Sequence, residues 1–400
     1  MIEIKGKYNT ASIYTDSIED EAYKQVLNLM NQKFAEGSKF AIMPDCHAGA
    51  GCVIGLTMKI VDKVVPNLCG VDIGCGMLVL KVDKSFNFDL PKVDRIWHEE
   101  IPSGMNHRTS KHKFADNAKI EDIIAPVNVD KLKLSIGTLG GGNHFGEIDV
   151  DDEGNHYIVI HSGSRHLGIE VCKHYQNIAI KYHKDRKKSD ISIIEQLKKE
   201  GRQSEIEAVL KAAKASAPSI PDELAYLEGQ LLEDYLHDME IAQEYAIWNR
   251  EAMMEVLLVG LGIGNDKILE KFCTIHNYID IENRILRKGS ISLQRDEVAI
   301  IPMNMRDGSL IVRGKGNPEW NFSGPHGAGR LMSRSKAKES LSLDDFKKSM
   351  AKIYTTCVDN ATIDESPMAY KPMDEIIRNI DATAEIVKII KPIYNFKAAE

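Results

Sequence analysis

An acid and a thiol stand three positions apart in the stretch NLCGVDIGCGM (67–77), where Asp72 and Cys75 are surrounded by apolar residues and glycines. A carboxylate in apolar surroundings is costly unless a cation or a hydrogen-bond donor pairs with it. Glycine lets the backbone bend sharply or approach another group closely. The question is therefore which group these two side chains serve together.

Four further clusters of polar side chains also lie in glycine-rich segments. They are Asn143, His144 and Glu147 in GTLGGGNHFGEI (137–148), His161 and Arg165 in VIHSGSRHLG (159–168), His276 and Asn277 in CTIHNYI (273–279), and His326 and Arg330 in SGPHGAGRLMSR (323–334). For any one of these histidines, a hydrogen-bonding role is the more common outcome. Three histidines at junctions between strands and glycine turns, together with Asp72 and Cys75, favour a metal site.

The residue types define the metal. One carboxylate, one thiol and several imidazoles form a mixed ligand set that suits a divalent transition ion such as manganese or zinc. Calcium and magnesium prefer oxygen ligands alone. Metal binding would deprotonate Cys75, and a thiolate can bridge two ions. Two adjacent ions can orient and activate both partners of a phosphoryl transfer.

The segment PHGAGR (325–330) points to phosphate chemistry. The small residues after His326 let backbone N–H groups turn toward an anion, and Arg330 offers a planar fork of donors. If a helix begins near Leu331, its N terminus adds a positive potential at the same place. A histidine nitrogen can attack phosphorus to form a phosphoramidate. His326 is therefore a candidate nucleophile, and the alternatives are a metal ligand or a hydrogen-bonding loop residue.

The composition is that of an ordinary globular protein, because the 400 residues are 43% hydrophobic and 28% charged. The net charge of −8, from 51 basic and 59 acidic residues, argues against a broad cationic face for duplex DNA. A local basic groove stays possible. Candidate walls for it are HKDRKK (183–188), GRLMSRSKAK (329–338) and the pair Asn249 and Arg250.

The cysteine pattern and the N terminus indicate the compartment. Seven cysteines without a C-x-x-C pair are typical of reduced thiols and not of a disulfide scaffold or a zinc ribbon. The N terminus lacks a basic segment followed by an apolar core, and no stretch approaches the roughly 18 apolar residues that a membrane span needs. We therefore expect a soluble, cytoplasmic protein.

Short β-rich runs separated by glycine turns dominate the first part of the chain. Strands are predicted for KFAIM (39–43), CVIGLTMKI (52–60), GMLVLKV (76–82) and HYIVIHSGS (156–164), and a helix for residues 17–35. Further strands are predicted for KFCTIHNYIDI (271–281), DEVAIIPM (296–303) and SLIVRG (309–314), and helices for about the last 60 residues. Apolar residues recur at helical spacing from about 190 to 260. We expect a single α+β domain over residues 1–400, with mixed β-sheets and helices and a helical segment at about 190–260.

Five motifs occur in the same order in a known family. They are CGVDIGCGM (69–77), GTLGGGNHFGEI, HSGSR (161–165), HNY (276–278) and HGAGRLMSRSKAK (326–338), and they resemble motifs of the RtcB family of GTP-dependent RNA ligases. The resemblance runs from MPDCHAG (43–49) to PMAYKPMDEII (367–377) and covers nearly the whole chain. Five ordered motifs of this length leave little room for coincidence.

The resemblance implies a role for each matching residue. Two manganese ions would be held by Asp72, Cys75, His144, His161 and His276, with the cysteine shared between them. His326 matches the histidine that takes GMP from GTP, Asn143 matches a residue that contacts the nucleotide phosphate, and Glu147 matches the carboxylate that reads the guanine edge. The further nucleotide contacts that it implies are Asn277, Pro302, Ser309, Gly327, Ala328, Gly329, Tyr370 and Lys397.

The implied reaction joins an RNA 3′-phosphate or 2′,3′-cyclic phosphate end to a 5′-hydroxyl end. It uses GTP and passes through guanylylated His326, with Arg330 and Arg165 as candidates to neutralise phosphate charge. The implied partners are RNAs with broken ends, either tRNA halves in splicing or damaged RNA in repair. An activating protein of the archease type is a further candidate partner.

The chain departs from the family pattern at several positions. Met303 and Asn304 stand where a Gly-Ser pair is common, Ala50 stands where lysine is common, and the C terminus reads YNFKAAE. A second hypothesis is therefore a chain that keeps the metal cage without ligating, as a metal-dependent RNA-end phosphodiesterase or an RNA-end binding protein. Because His326 and Glu147 are both present, we favour the ligase.

Overall fold

The computed structural model describes residues 1–200, 202, 205, 206 and 220–398, apart from the side chains of 186–191 and 193. Its helices are α1 (Asp20–Met30), α2 (Leu90–Glu99), α3 (Val129–Ser135), α4 (His166–Lys199), α5 (Gln230–Leu261), α6 (Arg334–Ser340), α7 (Leu343–Ser349) and α8 (Met373–Ile380). In the described part of the chain, no helix is long and apolar enough to cross a membrane.

Two large sheets hold most of the strands. The six-stranded sheet has the order β1 (Ile2–Lys5), β2 (Thr10–Ile13), β3 (Phe40–His47), β4 (Ile54–Lys59), β12 (Ile285–Lys288) and β11 (Asn277–Asp280). The seven-stranded sheet has the order β10 (Ile268–Ile275), β6 (Gly76–Val82), β8 (His156–Ser162), β7 (Phe145–Val150), β17 (Ala384–Lys397), β15 (Gly308–Gly314) and β14 (Val298–Asn304). Two short pairs complete the set: β5 (Lys63–Val64) with β9 (Leu227–Glu228), and β13 (Ser290–Ser292) with β16 (Ser323–Pro325).

The seven-stranded sheet forms a half-barrel that is buried on both faces. Along β6, Met77 and Val79 point into the concave core, whereas Leu78 and Leu80 pack in a second core that includes side chains of α2 and α5. Successive side chains of a strand point to opposite faces, so a strand covered on both sides needs an uninterrupted apolar run. This explains the apolar sequence GMLVLKV of β6. The combination of these sheets with the helices confirms the α+β class.

The register of three antiparallel strands brings the polar motifs to one end of the sheet. His161 on β8 pairs with Met77 on β6 and with Phe145 on β7. Cys75 lies two residues before Met77, His144 lies directly before Phe145, and neighbouring strands are about 4.8 Å apart. The thiol and the imidazoles are therefore neighbours in space although they are distant in sequence.

Most predicted strands are confirmed, as β3, β4, β6, β8, β10, β11, β14 and β15. The helix predicted at 17–35 is confirmed for α1 and is followed by a 3₁₀ turn, Lys33–Ala35. The helical segment predicted at about 190–260 is only partly correct. Helix α4 already begins at His166, and α5 begins at Gln230 after the short strand β9. Much of the connection between them lies outside the described residues.

The prediction of helices for the last part of the chain is correct for α7 and α8 but wrong for Ala384–Lys397, which form the long strand β17. This strand lies between β7 and β15, so it completes the half-barrel. Several β-branched and aromatic residues, including Ile390, Tyr394 and Phe396, are buried along it. Such residues favour a strand over a helix when they pack in a sheet.

The contact between Gly146 and Trp97 gives a test of this packing. A Cβ at Gly146 would lie 1.9 Å from the Trp97 ring, which stacks on Phe396 with ring centroids 5.4 Å apart. Gly146→Ala should therefore lower the free energy of unfolding by about 1–3 kcal/mol, measured by denaturant titration. In a Trp97→Leu background the added methyl group has room, so its penalty should shrink. An equal penalty in both backgrounds would contradict the contact.

Candidate active site

A pocket of about 320 Å³ opens at the end of the half-barrel where these polar motifs meet. This volume lies within the range of about 300–1,000 Å³ that small-molecule sites occupy. Of the residues singled out from the sequence, those that line it are Asp72, Cys75, Asn143, Glu147, His161, His276, Asn277, Pro302, Ser309, His326, Gly327, Ala328, Gly329, Arg330, Tyr370 and Lys397.

Cys75 is the centre of a cluster of five possible metal ligands. Its Sγ atom lies 3.4 Å from His144 Nε2 and 3.2 Å from His161 Nε2. His276 Nε2 lies 3.4 Å from His161 Nε2, and Asp72 Oδ2 lies 3.1 Å from His144 Nε2. The ligand atoms form two triads, Cys75, His161 and His276 in one and Asp72, Cys75 and His144 in the other, each with its atoms within 4.8 Å of one another. The thiol is common to both triads.

Backbone carbonyls orient two of the imidazoles. His144 Nδ1 lies 2.8 Å from the carbonyl oxygen of Leu139, and His161 Nδ1 lies 3.2 Å from that of Asn143. A ring nitrogen that faces a carbonyl carries the proton, so each Nε2 lone pair points toward Cys75. This is the arrangement of histidines that ligate a metal through Nε2.

Burial controls the protonation of the cluster. Burial and neighbouring imidazoles lower the pKa of His161 and of His276 well below the usual range, so both rings are neutral and able to ligate. Burial and the Asp72 carboxylate raise the pKa of the Cys75 thiol. Although burial opposes it, the charge and hydrogen bond that the His144 ring offers when it is protonated bring the pKa of Asp72 down to about 2, and a bound cation would take the place of that proton. A bound cation would ionise the thiol, and this mixed ligand set fits a divalent transition ion.

Two glycines make room for these ligands. A Cβ at Gly163 would lie 2.1 Å from Asp72 Oδ1, and a Cβ at Gly76 would lie 2.3 Å from the carbonyl oxygen of Thr274. Any other residue would therefore displace either the carboxylate or the strand that carries Cys75. The glycine-rich character of the motifs is a steric requirement of the cluster.

His326 stands beside the cluster and is held by a buried carboxylate. Its Nδ1 atom lies 2.7 Å from Asp45 Oδ2, which also accepts hydrogen bonds from the backbone N–H groups of His326 and Gly327. The His326 ring centroid lies 5.0 Å from that of His276. Because Nδ1 donates to Asp45, the lone pair is on Nε2. A buried acid that orients a histidine in this way is a typical support for a nucleophile.

A further part of the pocket wall carries buried acidic and amide groups. Glu147 Oε2 accepts a hydrogen bond from Asn395 Nδ2 at 2.7 Å. Lys397 Nζ lies 2.5 Å from Glu365 Oε2, and both side chains are buried. Although burial opposes it, the Lys397 ammonium lowers the pKa of Glu365 to about 2. This wall can therefore accept hydrogen bonds from a planar ligand and donate hydrogen bonds to it.

Arg330 is anchored more firmly than the sequence suggested. Its guanidinium donates to the carbonyl oxygens of Met332 and Asp364 and lies over the Tyr370 ring, 5.1 Å from the ring centroid. It also contacts Glu365 Oε1 at 3.4 Å. Arg330 still lines the pocket, but its donors serve the protein, so it shapes the wall on which the PHGAGR loop rests.

The structure changes the view of three candidate basic walls. Asn249 and Arg250 are fully buried, and Arg250 Nη1 donates to the carbonyl oxygens of Gly74 and Ser162, so this pair braces the cluster and offers no surface. The side chains of residues 186–188 in HKDRKK lie outside the described part. In the segment RSKAK (334–338), Lys338 Nζ lies 3.7 Å from Asp364 Oδ1, so this ammonium group faces a carboxylate of the protein itself.

Comparison with known proteins gives the family. The model of the family described as tRNA-splicing ligase RtcB matches residues 25–127 and 126–398. The RNA-splicing ligase RtcB of Escherichia coli K12 is 32% identical, and the match covers 93% of this chain and 92% of that protein. The tRNA-splicing ligase RtcB of Aeropyrum pernix is 28% identical, and the match covers 96% of this chain and 94% of that protein.

The chain belongs to the RtcB family of RNA ligases. This membership agrees with the pocket, because the motifs that carry the family resemblance contribute most of its lining. The departures at Met303 and Asn304 also fall in this lining. Met303 is buried in a neighbouring core, and Asn304 bonds Asp307 and the backbone of the β14–β15 turn, so both residues have structural roles.

Sequence reasoning missed several residues of the RtcB-type pocket. His47, Glu365 and Asn395 line it, and Asp45 holds His326. For Asp45 a signal existed, because an acid inside the apolar strand FAIMPDCH is as costly as Asp72 in its own segment. Glu365 and Asn395 had no comparable signal, since their partners are distant in sequence.

The shared thiol gives a test of the metal cluster. Cys75→Ala removes one ligand from both triads, so binding of Mn²⁺ or Zn²⁺ should weaken by more than about 100-fold. The measurement is metal content after equilibrium dialysis, with Cys273→Ala, a cysteine exposed on β10, as the matched control. If the Cys75 variant bound as many ions as the control with equal affinity, this assignment of the ligands would be wrong.

Proposed function

We propose that this RtcB-family ligase joins an RNA 3′-phosphate or 2′,3′-cyclic phosphate end to a 5′-hydroxyl end, using GTP and a GMP adduct on His326. The observation that carries the proposal is the position of His326, whose ring is held by Asp45 and stands beside the Cys75 cluster. The names of the relatives, RNA-splicing ligase and tRNA-splicing ligase, support the joining of RNA ends.

The residues that would hold two Mn²⁺ ions are Asp72, Cys75, His144, His161 and His276. Bound there, the ions would supply positive charge for the phosphate groups and would lower the pKa of an attacking hydroxyl. Their fit rests on the neutral imidazoles, the orientation of the Nε2 lone pairs and the thiol common to both triads.

The first step is nucleotidyl transfer to the protein. His326 Nε2 attacks the α-phosphorus of GTP, the N–P bond forms, and the bond to pyrophosphate breaks. The Asp45 carboxylate accepts the Nδ1 hydrogen bond and so stabilises the positive charge that grows on the ring. Backbone groups of the loop 327–329 and the exposed side chain of Asn143 lie at the same pocket and are candidates to contact the phosphate.

The next two steps transfer the activation to RNA. A 2′,3′-cyclic phosphate end first reacts with water, which breaks the P–O2′ bond and leaves a 3′-phosphate and a free 2′-hydroxyl. An oxygen of the RNA 3′-phosphate then attacks the phosphorus of the adduct, and the N–P bond to His326 breaks. The 5′-hydroxyl of the second RNA then attacks the activated 3′-phosphate, and GMP leaves as the phosphodiester forms. Both steps are phosphoryl transfers, in which positioning and charge neutralisation supply most of the acceleration.

The base of the nucleotide would lie against the wall that carries Glu147, Asn395 and Lys397. Glu147 offers a carboxylate, Asn395 fixes its orientation, and Lys397 lies on the same side of the pocket. Guanine presents two neighbouring N–H groups, and one carboxylate can accept a hydrogen bond from each of them. Ser309 and Tyr370 also line the pocket and are further candidates to contact the nucleotide. The RNA substrates proposed are tRNA halves or damaged RNA, with an archease-type activator as a candidate partner.

The adduct gives the direct test of this function. Incubation with GTP and Mn²⁺ should add one GMP to the protein, seen by mass spectrometry after denaturation, and His326→Ala should abolish it. His47→Ala is a useful comparison, because it removes another imidazole of the pocket. The Nδ1 atom of His47 lies 3.0 Å from the backbone carbonyl oxygen of Asp45. Absence of an adduct with every divalent metal, combined with hydrolysis of a 2′,3′-cyclic phosphate, would favour the phosphodiesterase.

Asp45 gives a second test. Asp45→Asn keeps the shape but removes the negative charge beside Nδ1, so the rate of adduct formation should fall by about 100-fold or more. Metal content should be unchanged, because Asp45 belongs to neither triad. A normal rate would show that His326 does not depend on this carboxylate, and a loss of metal would assign Asp45 to the cluster.

A further inference from the structure

Asp149 is a buried acid for which the reaction above has no use. It stands two residues after Glu147 on β7, so both carboxyl groups point to the concave face of the half-barrel. Asp149 is completely buried, and neither of its oxygens accepts a hydrogen bond from a donor group of the described residues. The Glu147 carboxyl lies within hydrogen-bonding reach of Asp149, so the two acids can form a hydrogen bond when one of them carries a proton.

The surroundings of Asp149 are apolar. On the neighbouring strand β8, Tyr157 stands opposite Asp149 and Val159 stands opposite Glu147, and both belong to the concave core. On the other side, Pro392 of β17 stands opposite Asp149 and brings neither a charge nor an N–H group. An ionised carboxylate without a partner in such a place is expensive, and protonation removes most of that expense.

Nearby cations do not serve Asp149, because they have other partners. Lys388 of β17 lies 2.9 Å from Asp151, and Lys81 of β6 lies 3.9 Å from the same carboxylate and over the Tyr157 ring. The Tyr157 hydroxyl donates to Asp151 at 3.1 Å. Burial and the Glu147 carboxyl accordingly raise the pKa of Asp149 well above its usual range. Two carboxylates that share one site cannot both ionise cheaply.

We propose that Asp149 is a neutral carboxylic acid that donates a hydrogen bond to Glu147 and so keeps Glu147 as the anion that selects guanine. The inference rests on the proposed function, in which Glu147 reads the base. Glu147 already accepts from Asn395, and a carboxylate has about four lone-pair sites, so it can also accept from Asp149 and from a base.

The position of this one proton would set base selectivity. An ionised Glu147 accepts the two N–H donors of guanine. A protonated Glu147 offers an O–H donor instead, which fits the ring nitrogen acceptor of adenine. Burial raises the pKa of Glu147, whereas the hydrogen bonds from Asp149 and Asn395 and the Lys397 ammonium favour its ionised form. The proton on Asp149 thus adds to the groups that keep Glu147 ionised. Asp149 is therefore a positioning residue for the guanine contact and does not itself touch the nucleotide.

The proton can be observed without any nucleotide. The infrared spectrum of the full-length protein in D₂O should contain a carbonyl band of a protonated carboxyl group at neutral pH, and Asp149→Asn should remove it. Asp152→Asn, which changes an exposed acid three positions after Asp149, should leave the band in place. Absence of the band from the parent protein, or its persistence in Asp149→Asn, would overturn the proposal.

The functional part is tested by the Michaelis constants for GTP and ATP in adduct formation, measured across pH relative to the parent protein. In the parent protein, ionisation of Asp149 at alkaline pH removes the donor to Glu147, so the constant for GTP should rise there. Asp149→Asn keeps an N–H donor at every pH, so its constant for GTP should stay within about threefold of the parent's value at neutral pH and should not rise at alkaline pH. Asp149→Leu removes the donor, so Glu147 takes up a proton more easily. Its constant for GTP should be about tenfold higher at low pH and should improve as the pH rises.

Each outcome has one meaning. An Asp149→Leu variant with the parent's constants and pH profile would overturn the role of Asp149 in guanine selection. If that variant does not fold, Asp149→Asn still decides through its band and its flat alkaline profile. If no nucleotide forms an adduct although the Asp149 band is present, the proposed ligase reaction fails while the assignment of the proton stands.

Discussion

Cys75 is a buried thiol that belongs to two triads of potential ligands, and the rest of the pocket depends on this arrangement. Desolvation keeps the imidazoles of His161 and His276 neutral and the thiol protonated until a cation enters. A group of this kind is costly to bury without a function. The half-barrel meets the requirement through the register of β6, β8 and β7, which aligns residues from distant parts of the sequence.

The same register connects the cluster to the wall that carries Glu147, Asn395 and Lys397. Strand β7 follows His144 and carries Glu147 on the face of the concave core, and β17 places Asn395 and Lys397 beside it. The six-stranded sheet contributes Asp45 at the end of β3, which holds His326 against the cluster. The candidate nucleophile, the candidate metal ligands and the acid proposed to read the base thus reach one pocket from rigid elements, and such support gives a reactive site its precision.

Much of the fold was predictable, because strands that are buried on both faces leave continuous β-rich runs such as those of β6 and β8. The C-terminal strand β17 was predicted wrongly as helix. Its partners β7 and β15 are far away in sequence, and its burial alternates irregularly around Pro392. The start of α4 at His166 was also missed, because the helix follows directly on a motif that reads as a turn.

The candidate site was predictable where residue types are rare in their surroundings. Asp72 and Cys75 stood out because a carboxylate and a thiol are unusual in an apolar glycine turn. Glu365 and Asp149 were not found, since an acid outside a motif is ordinary until the fold buries it beside another group. Arg250 was misplaced on a surface because sequence cannot distinguish an exposed arginine from one that braces backbone carbonyls.

X-ray absorption spectroscopy of the manganese-loaded protein at the manganese edge tests the central claim most directly. If Cys75 is shared by two ions, the spectrum should contain a sulfur neighbour in the first coordination shell and a second manganese close by. Both features should disappear together in Cys75→Ala. A first shell of oxygen and nitrogen alone, without a neighbouring metal, would contradict the account.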